Sequence, residues 1–99
     1  MGLCVSLETE SGSTIRAIGD DQNVLHRLLP THQESPILGA IDCYGDTVFN
    51  RRQMRLFLGE WEKLEGNASS DDRPLLSKIR EFVLQCEEGV HLYLKFKGD

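Results

Sequence analysis

The sequence predicts an α+β domain: a two-layer sandwich in which a mainly antiparallel sheet of about four strands has helices on one face. Two observations lead to this fold class. Apolar and polar residues alternate near both ends of the chain, as in half-buried strands. Two long stretches between them repeat apolar residues at helical spacing. The expected order is β-β-α-β-α-α-β, and 99 residues suit one globular domain spanning 1–99.

The chain begins with a predicted β-hairpin. Leu3, Val5 and Leu7 alternate with less apolar residues, which indicates a strand over residues 3–9. Residues 10–13, Glu-Ser-Gly-Ser, have turn chemistry, and residues 14–18 can form the returning strand.

The same N-terminus has a second interpretation. MGLCVS matches the Met-Gly-x-x-x-Ser form of a myristoylation signal on Gly2, and Cys4 could carry a palmitate. A lipid anchor usually precedes a flexible arm, whereas the alternation begins at Leu3. We therefore favour the strand over the anchor.

The middle of the chain predicts a short helix and a buried strand. Asp20 and Asp21 provide a helix start, and Pro30 ends the helix. Its apolar face consists of Val24, Leu25, Leu28 and Leu29. The apolar run 37–41, Ile-Leu-Gly-Ala-Ile, is typical of a central strand covered on both faces.

A helix is expected to begin at Asn50. Asn50 and Gln53 form a variant of the capping box, and Phe49 and Met54 can form a hydrophobic staple around it. The apolar face of this helix then continues through Phe57, Leu58, Trp61 and Leu64.

The last third predicts a second long helix and a final strand. A linker over 66–72 separates the two long helices, Pro74 suits a first turn, and Gly89 ends the second helix. Its apolar stripe consists of Leu75, Leu76, Ile79, Phe82, Val83 and Cys86. The strand is indicated by the alternating apolar residues Val90, Leu92, Leu94 and Phe96.

Composition limits the classes of partner. The formal net charge of −5 disfavours nucleic acid, whose binding depends on cationic side chains, and would steer a basic protein toward the chain. No run of eighteen apolar residues could span a membrane. Three widely spaced cysteines fit neither a disulfide framework nor a metal knuckle, so we expect a cytoplasmic protein.

The sequence offers weak candidates for catalysis or metal binding. Cys43 could be a nucleophile with His91 or His26 as its base, but no flanking signature of a cysteine enzyme is present. His26, His32, Asp42 and Asp46 lack the spacings typical of metal sites. We predict no catalytic residue, no metal and no cofactor.

The stretch IDCYGDTVFNRRQ, residues 41–53, is the leading candidate for recognition. Tyr44-Gly45-Asp46-Thr47 has turn chemistry, whereas Arg51 and Arg52 lie at the end of a helix that disfavours cations. A salt link from these arginines to Asp42 or Asp46 is the simplest explanation, ahead of ligand recognition. The predicted exposed partner-binding patch comprises Asp42, Tyr44, Asp46, Arg51, Arg52, His91 and Tyr93.

Three blocks, residues 23–30, 41–53 and 91–99, resemble a group of short bacterial hypothetical proteins. Proteins of this size and kind are often immunity proteins of polymorphic toxin systems. The resemblance implies a cytoplasmic binder that blocks a toxin domain, which the acidic charge of this chain predicts to be basic, and it carries over no catalytic residue.

Two other classes stay open. A small-ligand-binding domain or enzyme could use the Asp42–Asp46 loop. A regulatory homo-oligomer would expose an apolar face around Trp61 or the terminal strand.

Overall fold

The computed structural model describes residues 2–98 and has the predicted α+β fold. Met1 of the candidate lipid signal and Asp99 of the third resembling block lie outside the described residues. In chain order, the elements are β1 (Cys4–Thr9), β2 (Thr14–Gly19), α1 (Val24–Leu28), a 3₁₀ turn (Leu38–Ala40), β3 (Asp46–Asn50), a 3₁₀ turn (Arg51–Gln53), α2 (Met54–Gly66), α3 (Arg73–Glu88) and β4 (Leu92–Lys97).

The strands form one sheet in the order β2-β1-β4-β3, and all three pairings are antiparallel. β2 and β3 are therefore the edge strands. The pairing of β1 with β2 shifts register between Leu7 and Glu8, where Ile15 is the extra residue. β3 pairs with β4 without a shift, from Asp46 opposite Lys97 to Asn50 opposite Tyr93.

The helices α2 and α3 pack on one face of the sheet. Val5, Leu7, Leu94 and Phe96 point to this face and are fully buried. Phe57 links the two layers, because its ring lies 5.4 Å from that of Phe49 and 5.9 Å from that of Phe96, between ring centroids. The opposite face, here called the open face, carries the alternate residues Cys4, Ser6, Glu8, Ala17, Asp46, Val48, Asn50, Tyr93, Lys95 and Lys97.

The predicted short helix after Asp20 is present as α1, and it begins at Val24 with Asn23 at the N-cap position. Asp20 is 3% exposed, and its carboxylate accepts hydrogen bonds from the main-chain N–H groups of Val24 (2.8 Å) and Leu25 (2.7 Å). These are orphan donors of the first turn of α1, and the Asp20 carboxylate satisfies both, whereas the N-cap residue Asn23 makes no side-chain cap hydrogen bond. The N-terminal hairpin is also confirmed, and Gly2 lies so close to the main chain of Asp20 that a Cβ there would collide with it.

The prediction of a central strand at residues 37–41 is wrong. Leu38–Ala40 form a 3₁₀ turn, and the third strand is β3, which lies inside the recognition stretch. The Glu60 carboxylate from α2 accepts hydrogen bonds from the N–H groups of Ile37 (3.1 Å) and Leu38 (2.8 Å), so these donors are not available to a sheet. Leu38 and Ile41 are buried nevertheless, which explains why the run is apolar.

The two long helices match their predicted faces. Asn50 and Gln53 form a reciprocal capping box at the 3₁₀ turn that leads into α2. Trp61 is fully buried, and its indole N–H donates to the main-chain oxygen of Leu76 in α3 at 3.2 Å. An exposed face around Trp61 is therefore ruled out. Val90 precedes β4 and is 69% exposed, so its predicted inward position is also wrong.

Candidate functional site

The seven residues of the predicted patch fall into two groups at opposite ends of β3. Asp42, Tyr44 and Asp46 lie at its start, whereas Arg51 and Arg52 follow its end. The register places Tyr93 opposite Asn50, and hence with the arginines. Asp46 and Asn50 are separated by four extended steps, or roughly 13 Å. The sequence therefore grouped residues that form two separate surfaces.

The first surface, here called the turn site, consists of Asp42, Tyr44 and Asp46, with His26 beside them. The Asp42 carboxylate accepts a hydrogen bond from the N–H of Tyr44 at 2.9 Å, which is the Asx-turn geometry expected of this residue. The N–H of Asp42 donates to the Oγ1 of Thr47 at 2.9 Å. Two short bonds thus fix the turn that presents Tyr44.

Tyr44 itself is largely free of the core. It is 76% exposed, the largest fraction among the exposed large apolar side chains of residues 2–98. The His26 ring from α1 approaches it edge-on, with ring centroids 6.2 Å apart. An aromatic ring on a hydrogen-bonded turn loses little conformational entropy on binding.

The last residues of the described chain support this turn. The N–H of Gly98 donates to the main-chain oxygen of Gly45 at 2.7 Å. A Cβ at Gly98 would lie 2.6 Å from both the oxygen of Cys43 and the nitrogen of Gly45. Glycine is required at position 98 because main chain approaches main chain there.

The charges of the turn site are partly compensated. Asp46 lies 3.7 Å from the Nζ of Lys95 on β4, while both side chains keep contact with solvent. Asp42 is exposed, and the hydrogen bonds that it accepts come from the turn itself. The site therefore presents one aromatic ring next to two solvent-accessible carboxylates.

Arg51, at the other end of β3, has a structural role that the sequence did not predict. The Nε of Arg51 donates to the main-chain oxygen of Glu87 at 2.9 Å, in the last turn of α3. A cation there stabilises the negative end of the α3 dipole. The predicted salt link to Asp42 or Asp46 is wrong, because those acids lie at the far end of β3 and Asp46 pairs with Lys95. Arg52 is exposed.

His91 and Tyr93 lie near the arginine end. His91 precedes β4 and has a positive φ of 58°, a conformation that is uncommon for residues other than glycine. Its Nδ1 is 3.5 Å from the carboxylate of Glu10, and both side chains are largely exposed. Tyr93 is half-buried on the open face between Glu8 and Asn50. Neither residue contributes to the turn site.

The environment of Cys43 opposes nucleophilic chemistry. Burial raises the pKa of its thiol, and the negative charge of Asp42 raises that pKa further. Burial also raises the pKa of Cys86, to about 11. Because the thiolate is the reactive form, both thiols are less reactive at neutral pH than a free cysteine.

One cavity among the described residues lies away from the turn site. A cavity of about 380 Å³ lies between α1 and α2, and no residue from 42–46 lines it. Its lining consists of Leu28, Leu29, Pro30, Glu34, Ser35, Glu60, Lys63, Leu64 and Asn67. Within residues 2–98, no three His, Cys, Asp or Glu side chains are grouped closely enough to hold a metal ion. No helix in that part of the chain is long and apolar enough to cross a membrane.

Sequence reasoning missed three contributors to these surfaces. His26 was considered only as a base or a ligand, and nothing in its spacing indicates contact with Tyr44. Lys95 pairs with Asp46 only because β3 and β4 are neighbours. The sequence gives one weak indication for Gly98, because a glycine next to a strand can mark a place where two main chains approach closely.

Comparison with protein-family models, curated proteins and solved structures found no significant match to this chain. The resemblance to short bacterial proteins therefore stays a prediction.

Proposed function

We propose that this chain is a small cytoplasmic protein-binding module, and specifically an immunity protein that binds and blocks a basic toxin domain. The observation that carries the proposal is Tyr44, an aromatic side chain that is 76% exposed on a turn fixed by hydrogen bonds. Tyrosines in such positions are enriched among the residues that contribute most to protein–protein affinity.

Charge supports a basic partner. Asp42 and Asp46 lie beside Tyr44, and the chain as a whole carries a formal net charge of −5. Opposite charge on a partner accelerates the encounter and discriminates against acidic competitors. The raised pKa of Cys43 counts against this thiol as a nucleophile beside the turn site.

The test is a comparative capture from the native organism, using wild type, Tyr44→Ala and Leu56→Ala as baits. Leu56 is a matched control because it is also an exposed large apolar residue, 64% exposed, but lies on α2. We expect a basic protein to be enriched by wild type and Leu56→Ala, and recovered about tenfold less by Tyr44→Ala.

The captured protein is then purified and mixed with the wild-type chain. We expect a one-to-one complex in which the toxic activity of the partner is lost. Equal recovery by all three baits, or a partner that keeps its activity in the complex, would contradict the proposal.

A further inference from the structure

The edge of β3 is an unpaired strand edge with a regular register. The N–H of Gly98 donates to the oxygen of Gly45, which makes this pair a hydrogen-bonded one. Hydrogen-bonded and non-hydrogen-bonded pairs alternate along antiparallel strands, so the main-chain groups of Thr47 and Phe49 face β4. Those of Asp46, Val48 and Asn50 therefore face away from the sheet.

One of these outward groups has a partner within the chain. The N–H of Asn50 donates to the Oε1 of Gln53 at 2.8 Å, as expected for a group that does not bond to β4. For the N–H and C=O groups of Asp46 and Val48, residues 2–98 supply no hydrogen-bond partner. Val48, at the centre of this edge, has an apolar side chain that is 54% exposed.

The two edges of the sheet differ in their protection. On β2, the register shift at Ile15 interrupts regular pairing, and bulges of this kind protect edges against added strands. β3 has no bulge, no proline and no lysine. An added strand would therefore find regular hydrogen-bonding groups at β3 and not at β2.

Negative side chains lie at one end of the β3 edge and positive side chains at the other. Asp42 and Asp46 lie at its start, whereas Arg51, Arg52 and Arg55 lie at and beyond its end. When two copies of such an edge are antiparallel, the acidic end of each meets the basic end of the other. A parallel arrangement would bring like charges together.

We propose that the β3 edge pairs with the β3 edge of a second copy of this chain, antiparallel and centred on Val48, to form a two-fold symmetric dimer with a continuous sheet. In this register, Val48 faces its own copy and Asp46 faces Asn50. The contact area is that of a small interface, so the dimer is expected to be weak and to dissociate on dilution.

The dimer goes beyond the proposed toxin binding, and Val48→Lys separates the two. Lysine at an exposed edge position puts like charges at the two-fold axis and is a common protection against edge pairing. The turn site lies before residue 48 in the chain, and its hydrogen bonds do not involve the Val48 side chain, so the substitution leaves them in place. We expect Val48→Lys to lose the dimer and to keep the captured partner. A wild-type chain that dimerises but captures no partner would contradict only the proposed function.

The experiment is sedimentation equilibrium of wild type, Val48→Lys and Ile15→Lys over a wide concentration range. Ile15 is the control because it is an exposed apolar residue, 44% exposed, on the other edge. We expect the mass of wild type and Ile15→Lys to rise to twice that of the monomer, while Val48→Lys stays monomeric. A wild type that is monomeric at millimolar concentration, or a dimer that persists in Val48→Lys, would overturn the proposal.

Hydrogen exchange on the wild-type chain gives a second readout that needs no variant. The N–H of Val48 should exchange more slowly as protein concentration rises, because the second copy supplies its acceptor. An exchange rate that does not change with concentration would overturn the proposal, as would a Val48 N–H protected only by the captured toxin.

Discussion

The main-chain N–H of Gly98 is hydrogen-bonded to the main-chain oxygen of Gly45, which fastens the end of β4 to the turn that presents Tyr44. This contact makes the turn site part of the folded sheet rather than a free loop. The geometry of the turn should therefore depend on residue 98, which lies more than fifty positions away in sequence.

Gly98→Ala should destabilise the chain by about 1–3 kcal/mol, because the added methyl group overlaps main-chain atoms that have little room to move. The main-chain oxygen of Cys43 would lie 2.6 Å from the new Cβ. Urea unfolding followed by circular dichroism measures the change.

Gly59→Ala is the matched control for this measurement. Gly59 lies within α2, and a Cβ there would meet no atom within 4 Å. Alanine should stabilise the helix by about 1 kcal/mol, so the two glycine substitutions should have opposite signs. Equal changes in the free energy of unfolding would show that residue 98 is not packed against the main chain of Cys43 and Gly45.

Asp20→Ala should lower the free energy of unfolding by about 2 kcal/mol, because two main-chain donors at the start of α1 lose a buried acceptor. Asp21→Ala is the control, since Asp21 is exposed and its replacement should change stability by less than about 0.5 kcal/mol. Thermal unfolding of both variants checks the difference. Similar melting temperatures would contradict the capping role of Asp20.

Arg51→Ala should lower stability by about 1 kcal/mol, because the bond from its Nε to the oxygen of Glu87 joins the start of α2 to the end of α3. Arg52→Ala should have little effect on the monomer, because Arg52 is exposed. Urea unfolding at low micromolar concentration compares the two. A larger loss in Arg52→Ala would mean that the roles of the arginines are reversed.

Cys43 should react slowly with iodoacetamide at pH 8, since a raised pKa leaves less thiolate at that pH. Asp42→Asn removes the negative charge that raises this pKa but keeps an oxygen that can accept from Tyr44. The variant should therefore react faster, by less than about tenfold.

Peptide mass spectrometry of the alkylated chain separates the cysteines. Cys86, whose pKa is about 11, should stay nearly unmodified in the folded chain at pH 8 and gain reactivity as the pH rises toward that value. Unchanged or slower labelling of Cys43 in Asp42→Asn would contradict the electrostatic contribution of Asp42.

The sequence predicted the hairpin, both long helices and the last strand because each has an unambiguous apolar period. It misplaced the third strand for a physical reason. Leu38 and Ile41 are apolar because they enter the core from a turn and not from a strand. The main-chain N–H groups of Ile37 and Leu38 donate to Glu60, which lies 23 and 22 residues further along the chain. β3 has only five residues, of which Asp46 and Asn50 also suit turns and caps.

The candidate site was predicted as a list of residues but not as a surface. Local turn chemistry identified Asp42 and Tyr44, and these residues do form a turn. Which side chains meet depends on the order of strands in the sheet, and no local pattern specifies that order. Arg51 and Arg52 were therefore grouped with acids that β3 holds at its other end.

The central claim is that Tyr44 contributes directly to binding a protein partner. Its most direct test is calorimetric titration of the purified partner with wild type and with Tyr44→Ala, both shown to have the same melting temperature. We expect the dissociation constant to rise about tenfold or more in Tyr44→Ala, with one-to-one stoichiometry in both cases. An unchanged dissociation constant would contradict the claim.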